Sequence, residues 1–317
     1  MAALVGDNLV MTSNSPRWPT IAWHAIRPHT LPLSLSPVLL GSVAGWAESG
    51  LVRLDISLAA ALSAACMQIG ANLQNDAADA LDGTDQIDRA GPPRVTSRGW
   101  VSASRVLFAA RVSFGLAVFS GLYLVVVGGW PLVLLGLLAV AAAWAYSGGP
   151  RPIARGPFGE LVVLLFFGFV AVTGVGWLYS GLVTGPMLLA GLVVGLPAAA
   201  VLTINNLRDL DGDRRAGRQT LAIRLGEQGS VRAIAGMLLA VVPAICLLAW
   251  WGPPWSGAVL GLPSLALLPA ILRSLQPPLS AQAGNANLRR TTRFQMVLSL
   301  AVAAGIIASV TVTGTAP

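Results

Sequence analysis

The chain has 317 residues, of which 55% are apolar and 10% charged, against about 45–50% and 25% in soluble domains. A mean hydropathy of +0.72 excludes a soluble globular enzyme and a disordered chain, and implies a polytopic membrane protein. The net charge of +7 does not argue for nucleic acid, because all 20 basic residues are arginines placed around hydrophobic segments.

Residues 1–16 lack a basic start and a long apolar run, so they read as a disordered tail ahead of one membrane domain over 17–317. Residues 17–27 mix aromatic and basic side chains and predict a short interfacial helix, with His24 and His29 at the interface. Nine apolar stretches of about 20 residues follow. They lie near 30–47, 54–75, 106–127, 130–147, 160–180, 186–206, 231–250, 255–273 and 294–314. Polar segments over 76–105 and 207–232 interrupt them. The pairs Gly41/Gly45 and Gly191/Gly195 predict close helix approach. Trp46, Trp130, Trp250, Trp251 and Trp255 sit at span ends and read as an interfacial belt. Cys66 and Cys246 have no metal-type spacing and read as buried apolar residues.

The arginines orient the spans. The N-terminal tail, the connections after spans two, four, six and eight, and the span ends beside them carry 19 of the 20. The opposite connections carry only Arg53. The positive-inside rule makes the arginine-rich side cytoplasmic, with the N-terminus inside.

The acidic residues are concentrated. Five of the 13 lie within 76–88 and three within 209–213, at the cytoplasmic ends of spans two and six. On a continuing helix, Asn72, Asp76 and Asp79 share one face, and so do Asn205, Asp209 and Asp213. Crowded carboxylates repel unless a cation neutralises them. Oxygen ligands suit Mg²⁺, which bridges to substrate phosphates. Arg89, Arg94, Arg98, Arg208, Arg214, Arg215 and Arg218 stand nearby, and a guanidinium fork matches phosphate. The pattern suggests a metal–diphosphate site for a substrate with a lipid tail. No P-loop, H-E-x-x-H, G-x-S-x-G or CxxC motif is present. A transporter or lipid-binding protein would need ionisable groups at mid-bilayer depth, which most spans lack.

At these residues the sequence resembles the UbiA superfamily of membrane prenyltransferases. Three stretches resemble its 1,4-dihydroxy-2-naphthoate branch: Arg27-Pro28-His29-Thr30-Leu31-Pro32, Asn75-Asp76-Ala77-Ala78-Asp79 with the following Gly83 to Arg94, and Asn205-Asn206-Leu207-Arg208-Asp209 with Asp213 and Gly217 to Leu221. Tyr146 to Arg151 and Gly159-Glu160 fit the same branch. The chain departs at Ala77, where the family usually carries an aromatic side chain near the site, and at His29 and Arg218, where it usually carries lysine.

The resemblance implies an all-α bundle of nine transmembrane helices in a bacterial inner membrane, with its site facing the cytoplasm. It implies Mg²⁺ as cofactor, and a polyprenyl diphosphate, 1,4-dihydroxy-2-naphthoate and the lipid bilayer as partners. Asn72, Asn75, Asp76 and Asp79 would form one metal–diphosphate cluster, and Asn205, Asp209 and Asp213 the other. Arg94, Arg151, Arg208 and Arg218 would contact the diphosphate or the acceptor carboxylate, Arg151 being the choice for the carboxylate. Tyr146 would either shield a carbocation or belong to the aromatic belt. Glu160 would either orient an arginine or serve as a helix N-terminal acid. Other aromatic acceptors, such as 4-hydroxybenzoate or a secondary-metabolite phenol, stay open, as does prenyl length.

Overall fold

The computed structural model describes residues 16–81, 91, 93–149 and 152–313. The readings placed on 1–15, Asp82, Asp85, Asp88, Arg89 and Arg151 therefore lie outside the described residues. All elements among the described residues are helical. A short helix, α1 (Trp18–Ile26), precedes the bundle. The helices that follow are α2 (Leu31–Ser49), α3 (Leu54–Leu81), α4 (Ala103–Gly128) and α5 (Trp130–Ser147). Then come α6 (Gly159–Ser180), α7 (Gly185–Arg208), the short α8 (Leu210–Arg215), α9 (Leu221–Trp250), α10 (Trp255–Ser274) and α11 (Ala281–Thr313).

Eight of these segments are long and apolar enough to cross a membrane, the first counted as Trp18–Ser49. The apolar part of α5, Trp130–Tyr146, is a shorter helix. At 1.5 Å per residue its 17 residues span about 26 Å, slightly less than a hydrocarbon core of about 30 Å.

One large core joins α2, α7, α9, α10 and α11, with Leu40, Ile204, Ile245 and Phe294 at its centre. By contrast, α4 and α5 present Phe119, Val126 and Leu137 outward, as a lipid-facing surface requires. Glycine sets the closest approaches. A Cβ at Gly41 would lie 2.7 Å from the Val172 carbonyl, and one at Gly168 would lie 2.7 Å from the Gly191 carbonyl. Gly41/Gly45 thus seat α2 against α6, and Gly191/Gly195 seat α7 against α6. Within α6, residues Leu164–Val170 widen into a π-helical stretch beside that contact.

Two readings need correction. Trp46 packs against the core and Trp255 is buried, so neither belongs to a belt, whereas Trp130, Trp250 and Trp251 are exposed. Cys66 is buried but Cys246 is exposed on an apolar helix face.

The arginine-rich connections meet at one end of the bundle. Arg218 reaches Asp79 there, and the Gln219 amide donates to the Arg155 carbonyl at 2.7 Å. Arg53 lies at the other end, where its carbonyl accepts from the Tyr179 hydroxyl at 2.8 Å.

Candidate active site

The ends of α3 and α7 converge above a cavity of about 650 Å³, within the range of small-molecule sites. Aliphatic and aromatic side chains, among them Leu124, Leu135, Phe166 and Phe167, line most of it. Its polar lining includes Arg27, Asn72, Asn75, Arg94, Asn205 and Arg208. Tyr146, at the end of α5, also lines the cavity, so it belongs to the site and not to a belt.

The first acid stripe does not act as one face. α3 continues as predicted through Asp76 and Asp79, but its side chains have separate partners. Asn72 donates its amide to the Ile26 carbonyl at 3.1 Å and to Thr30 Oγ1 at 3.0 Å. Asp76 is fully buried and does not line the cavity. Its carboxylate accepts from the Val95 amide at 3.2 Å and from the Thr96 hydroxyl. It therefore anchors the turn that carries Arg94. Asp79 accepts from Arg94 at 2.5 Å and from Arg218 at 2.6 Å.

The second stripe is nearly continuous. α7 ends at Arg208, yet the Asp209 amide donates to the Asn205 carbonyl at 3.1 Å and the Asp213 amide to the Asp209 carbonyl at 2.9 Å. The Arg208 guanidinium grips Asp209 through Nε at 2.9 Å and Nη2 at 2.6 Å. It also donates to Asn205 Oδ1 at 2.9 Å and to Asn285 Oδ1 at 2.8 Å. Arg218 lies 3.2 Å from Asp213 while holding Asp79, so one cation joins both motifs.

Of the two readings of Glu160, the structure favours the helix N-terminal acid: it is buried in the first turn of α6. Its Oε1 accepts from Asn206 Nδ2 at 3.0 Å. Ala77 is fully buried in a cluster with Ile21, Val95 and Val106, so its small side chain leaves the cavity unchanged. Thr96, Asn206 and Asn285 are site-supporting residues to which the sequence reading gave no individual role. Asn206 stood in the second motif, Asn285 was a polar residue in the arginine-flanked 284–293 segment, and Thr96 carried no signal.

The donor set suits a hard cation. Asp79, Asp209 and Asp213 offer carboxylate oxygens already balanced by positive charge, and Asn75 and Asn205 add amides. Among the described residues no three acidic, histidine or cysteine side chains form a ready-made ligand group. Mg²⁺ is commonly held by one or two carboxylates together with substrate phosphates, so these carboxylates would hold it only jointly with a substrate.

Residues 34–289 match the UbiA prenyltransferase family. The chain is 36% identical to the 1,4-dihydroxy-2-naphthoate octaprenyltransferase of Mycobacterium tuberculosis, over 88% of this chain and 94% of that protein. It is also 36% identical to the Escherichia coli enzyme of the same name, over 72% and 76%. The fold is similar to that of a UbiA homolog from Aeropyrum pernix, with a TM-score of 0.65, 20% identity and coverage of 88% and 97%. A UbiA homolog from Archaeoglobus fulgidus, bound to DMAPP and Mg²⁺, gives a TM-score of 0.60 at 14% identity, covering 89% and 98%. A lipid-exposed helical bundle, an apolar cavity closed by acids and arginines, and a family match across most of the chain agree: this protein is a membrane enzyme of the UbiA prenyltransferase family.

Proposed function

We propose that the chain transfers a polyprenyl group from its allylic diphosphate to 1,4-dihydroxy-2-naphthoate, with Mg²⁺ and with loss of CO₂, giving demethylmenaquinone in its hydroquinone form. The observation that carries this reading is the cavity, an apolar chamber whose polar lining lies beside two acid-bearing helix ends. The names of the relatives from M. tuberculosis and E. coli support the acceptor.

Asp79, Asp209 and Asp213 would hold the metal, with Asn75 and Asn205 beside them. Mg²⁺, when bound, supplies positive charge against the leaving diphosphate. Arg94 and Arg218 sit on the same carboxylates and offer N–H donors to phosphate oxygens. The apolar wall keeps water from the allylic cation, and the Tyr146 ring stabilises it by cation–π attraction. The ring carbon bearing the carboxylate bonds to the prenyl carbon as the carbon–oxygen bond to diphosphate breaks. The carboxylate then leaves as CO₂, and its bonding pair restores the aromatic ring. The site faces the cytoplasm of a bacterial inner membrane, in a nine-span arrangement supported by the arginine distribution.

The test is a membrane assay with labelled polyprenyl diphosphate and several acceptors. Carboxyl-labelled naphthoate should release labelled CO₂ in step with prenylation, and EDTA should stop both. Prenylation of 4-hydroxybenzoate with the naphthoate untouched would overturn the acceptor. Full activity in excess EDTA would overturn the metal.

A further inference from the structure

Arg53 stands apart from the other arginines. It lies in the connection between α2 and α3, at the end of the bundle away from the arginine-rich connections. The length of α3 puts about 36 Å of helix between Asp55 and Asp79. The Arg53 guanidinium meets Asp55 in the first turn of α3, with Nε 3.1 Å from Oδ1 and Nη2 2.8 Å from Oδ2. The Tyr123 hydroxyl of α4 donates to the same carboxylate at 2.5 Å. Both charges remain within reach of an outside ligand, with 34% of the Arg53 side chain and 41% of Asp55 exposed. The two N–H donors on Nη1 of Arg53 are not used by this pair.

These three side chains close one end of a groove on the outside of the bundle. Leu58 and Leu62 of α3 and Phe119, Leu122, Tyr123 and Val126 of α4 line it, and all six are exposed. Asp55, Leu58 and Leu62 follow at three- and four-residue spacing, so they share one face of α3. The groove is therefore an apolar floor that begins beneath an ion pair and runs towards the middle of the helices. Ordinary contact with lipid tails requires the floor but not the charged rim.

We propose that this groove binds one phospholipid with an ethanolamine headgroup. An acyl chain lies on Leu58, Leu62, Phe119 and Val126, the Arg53 Nη1 donors meet the phosphate, and the ammonium donates to Asp55. A guanidinium–carboxylate pair and a phosphate–ammonium headgroup are opposed dipoles, so each of the four charges meets an opposite one. A glycerol headgroup brings the phosphate without a cation and leaves Asp55 beside a second negative charge. A choline headgroup brings a cation that has no N–H to donate.

The test is native mass spectrometry of the full-length protein, purified in detergent and mixed with equal amounts of phosphatidylethanolamine, phosphatidylglycerol and phosphatidylcholine. Wild type should retain a single phosphatidylethanolamine about tenfold over either competitor, as one added charge-assisted hydrogen bond provides. Arg53→Gln should lose this preference. Asp55→Asn should turn it towards phosphatidylglycerol, because the site then carries a net positive charge. Exposed ion pairs add little to folding, so both variants should melt in detergent as wild type does. Glycerophosphoethanolamine, which has the headgroup but no chains, should not displace the bound lipid.

Equal retention of the three lipids by wild type, or an unchanged preference in Arg53→Gln, would overturn the site. Displacement by glycerophosphoethanolamine at matched concentration would show that the groove takes no part. A lipid-free dimer that Phe119→Ser dissociates would give the groove to a second copy of the chain instead.

Discussion

Arg218 and Asp79 stand 139 positions apart in the chain, yet the guanidinium lies 2.6 Å from the carboxylate and 3.2 Å from Asp213. A single cation thereby joins the acid motif at the end of α3 to the one that spans the α7–α8 junction. It neutralises carboxylates that would otherwise repel each other at close range.

Removing that cation should weaken the metal-free protein most. Arg218→Gln is expected to lose about 3 kcal/mol in EDTA, the lower end for a broken buried pair because Arg218 is partly exposed. Mg²⁺ should restore more of the lost melting temperature in the variant than it adds to wild type. Equal losses with and without Mg²⁺ would show that Arg218 and the metal do not share these carboxylates.

Asp79 and Asp76 should separate by readout. Asp79→Asn is expected to raise the half-saturating Mg²⁺ concentration roughly ten- to a hundred-fold. Asp76→Ala strips the acceptor from two buried donors, Val95 N and Thr96 Oγ1, at about 1–3 kcal/mol each. Thermal melting should report that loss in EDTA as well as in Mg²⁺. A normal melting temperature for Asp76→Ala, combined with altered Mg²⁺ dependence, would make Asp76 a metal ligand instead of an anchor.

Glycine substitutions should divide by contact. Gly168→Ala drives a methyl group towards the Gly191 carbonyl and should cost about 1–3 kcal/mol. At Gly115 nothing lies within 4 Å, so Gly115→Ala should be neutral or gain about 0.5–1 kcal/mol from helix propensity. Detergent-solubilised melting curves check both.

Topology has its own test. A reporter fused after Pro317 should read as extracytoplasmic, and one inserted at Gly217 as cytoplasmic. Cytoplasmic readings at both positions would remove the nine-span arrangement.

Much of this was legible before the fold was known. Composition and the spacing of apolar runs marked the helices, the glycine pairs marked the tight crossings, and the clustered acids marked the helix ends that form the site. Side-chain partners were not legible, because helical periodicity assigns a face but not what meets that face. Asp76 shares a helix with Asp79, yet a turn near Val95, set by the whole α1–α3–α4 packing, claims its carboxylate. The same limit applied to Glu160, whose partner Asn206 comes from a different helix. Regular spacing also concealed a polar ladder in α11: Asn287, Thr291, Gln295 and Ser299 recur every fourth residue and are all fully buried. A search restricted to ionisable groups passes over it.

The π-helical stretch of α6 and its glycine seat against α7 give the cavity walls of two kinds. Phe166 and Phe167 project from a segment locked at Gly168 by main-chain atoms of Gly191 and Gly195. Main chain has no rotamers, so this wall has a fixed bore. Another part of the lining consists of side chains of α4 and α5, such as Leu124 and Leu135, which pack with Val175 and Leu178 of α6. Side chains there have rotamers to change, whereas the glycine crossing has none. The cavity thus combines a stretch of lining fixed by main chain with one that side chains can reshape.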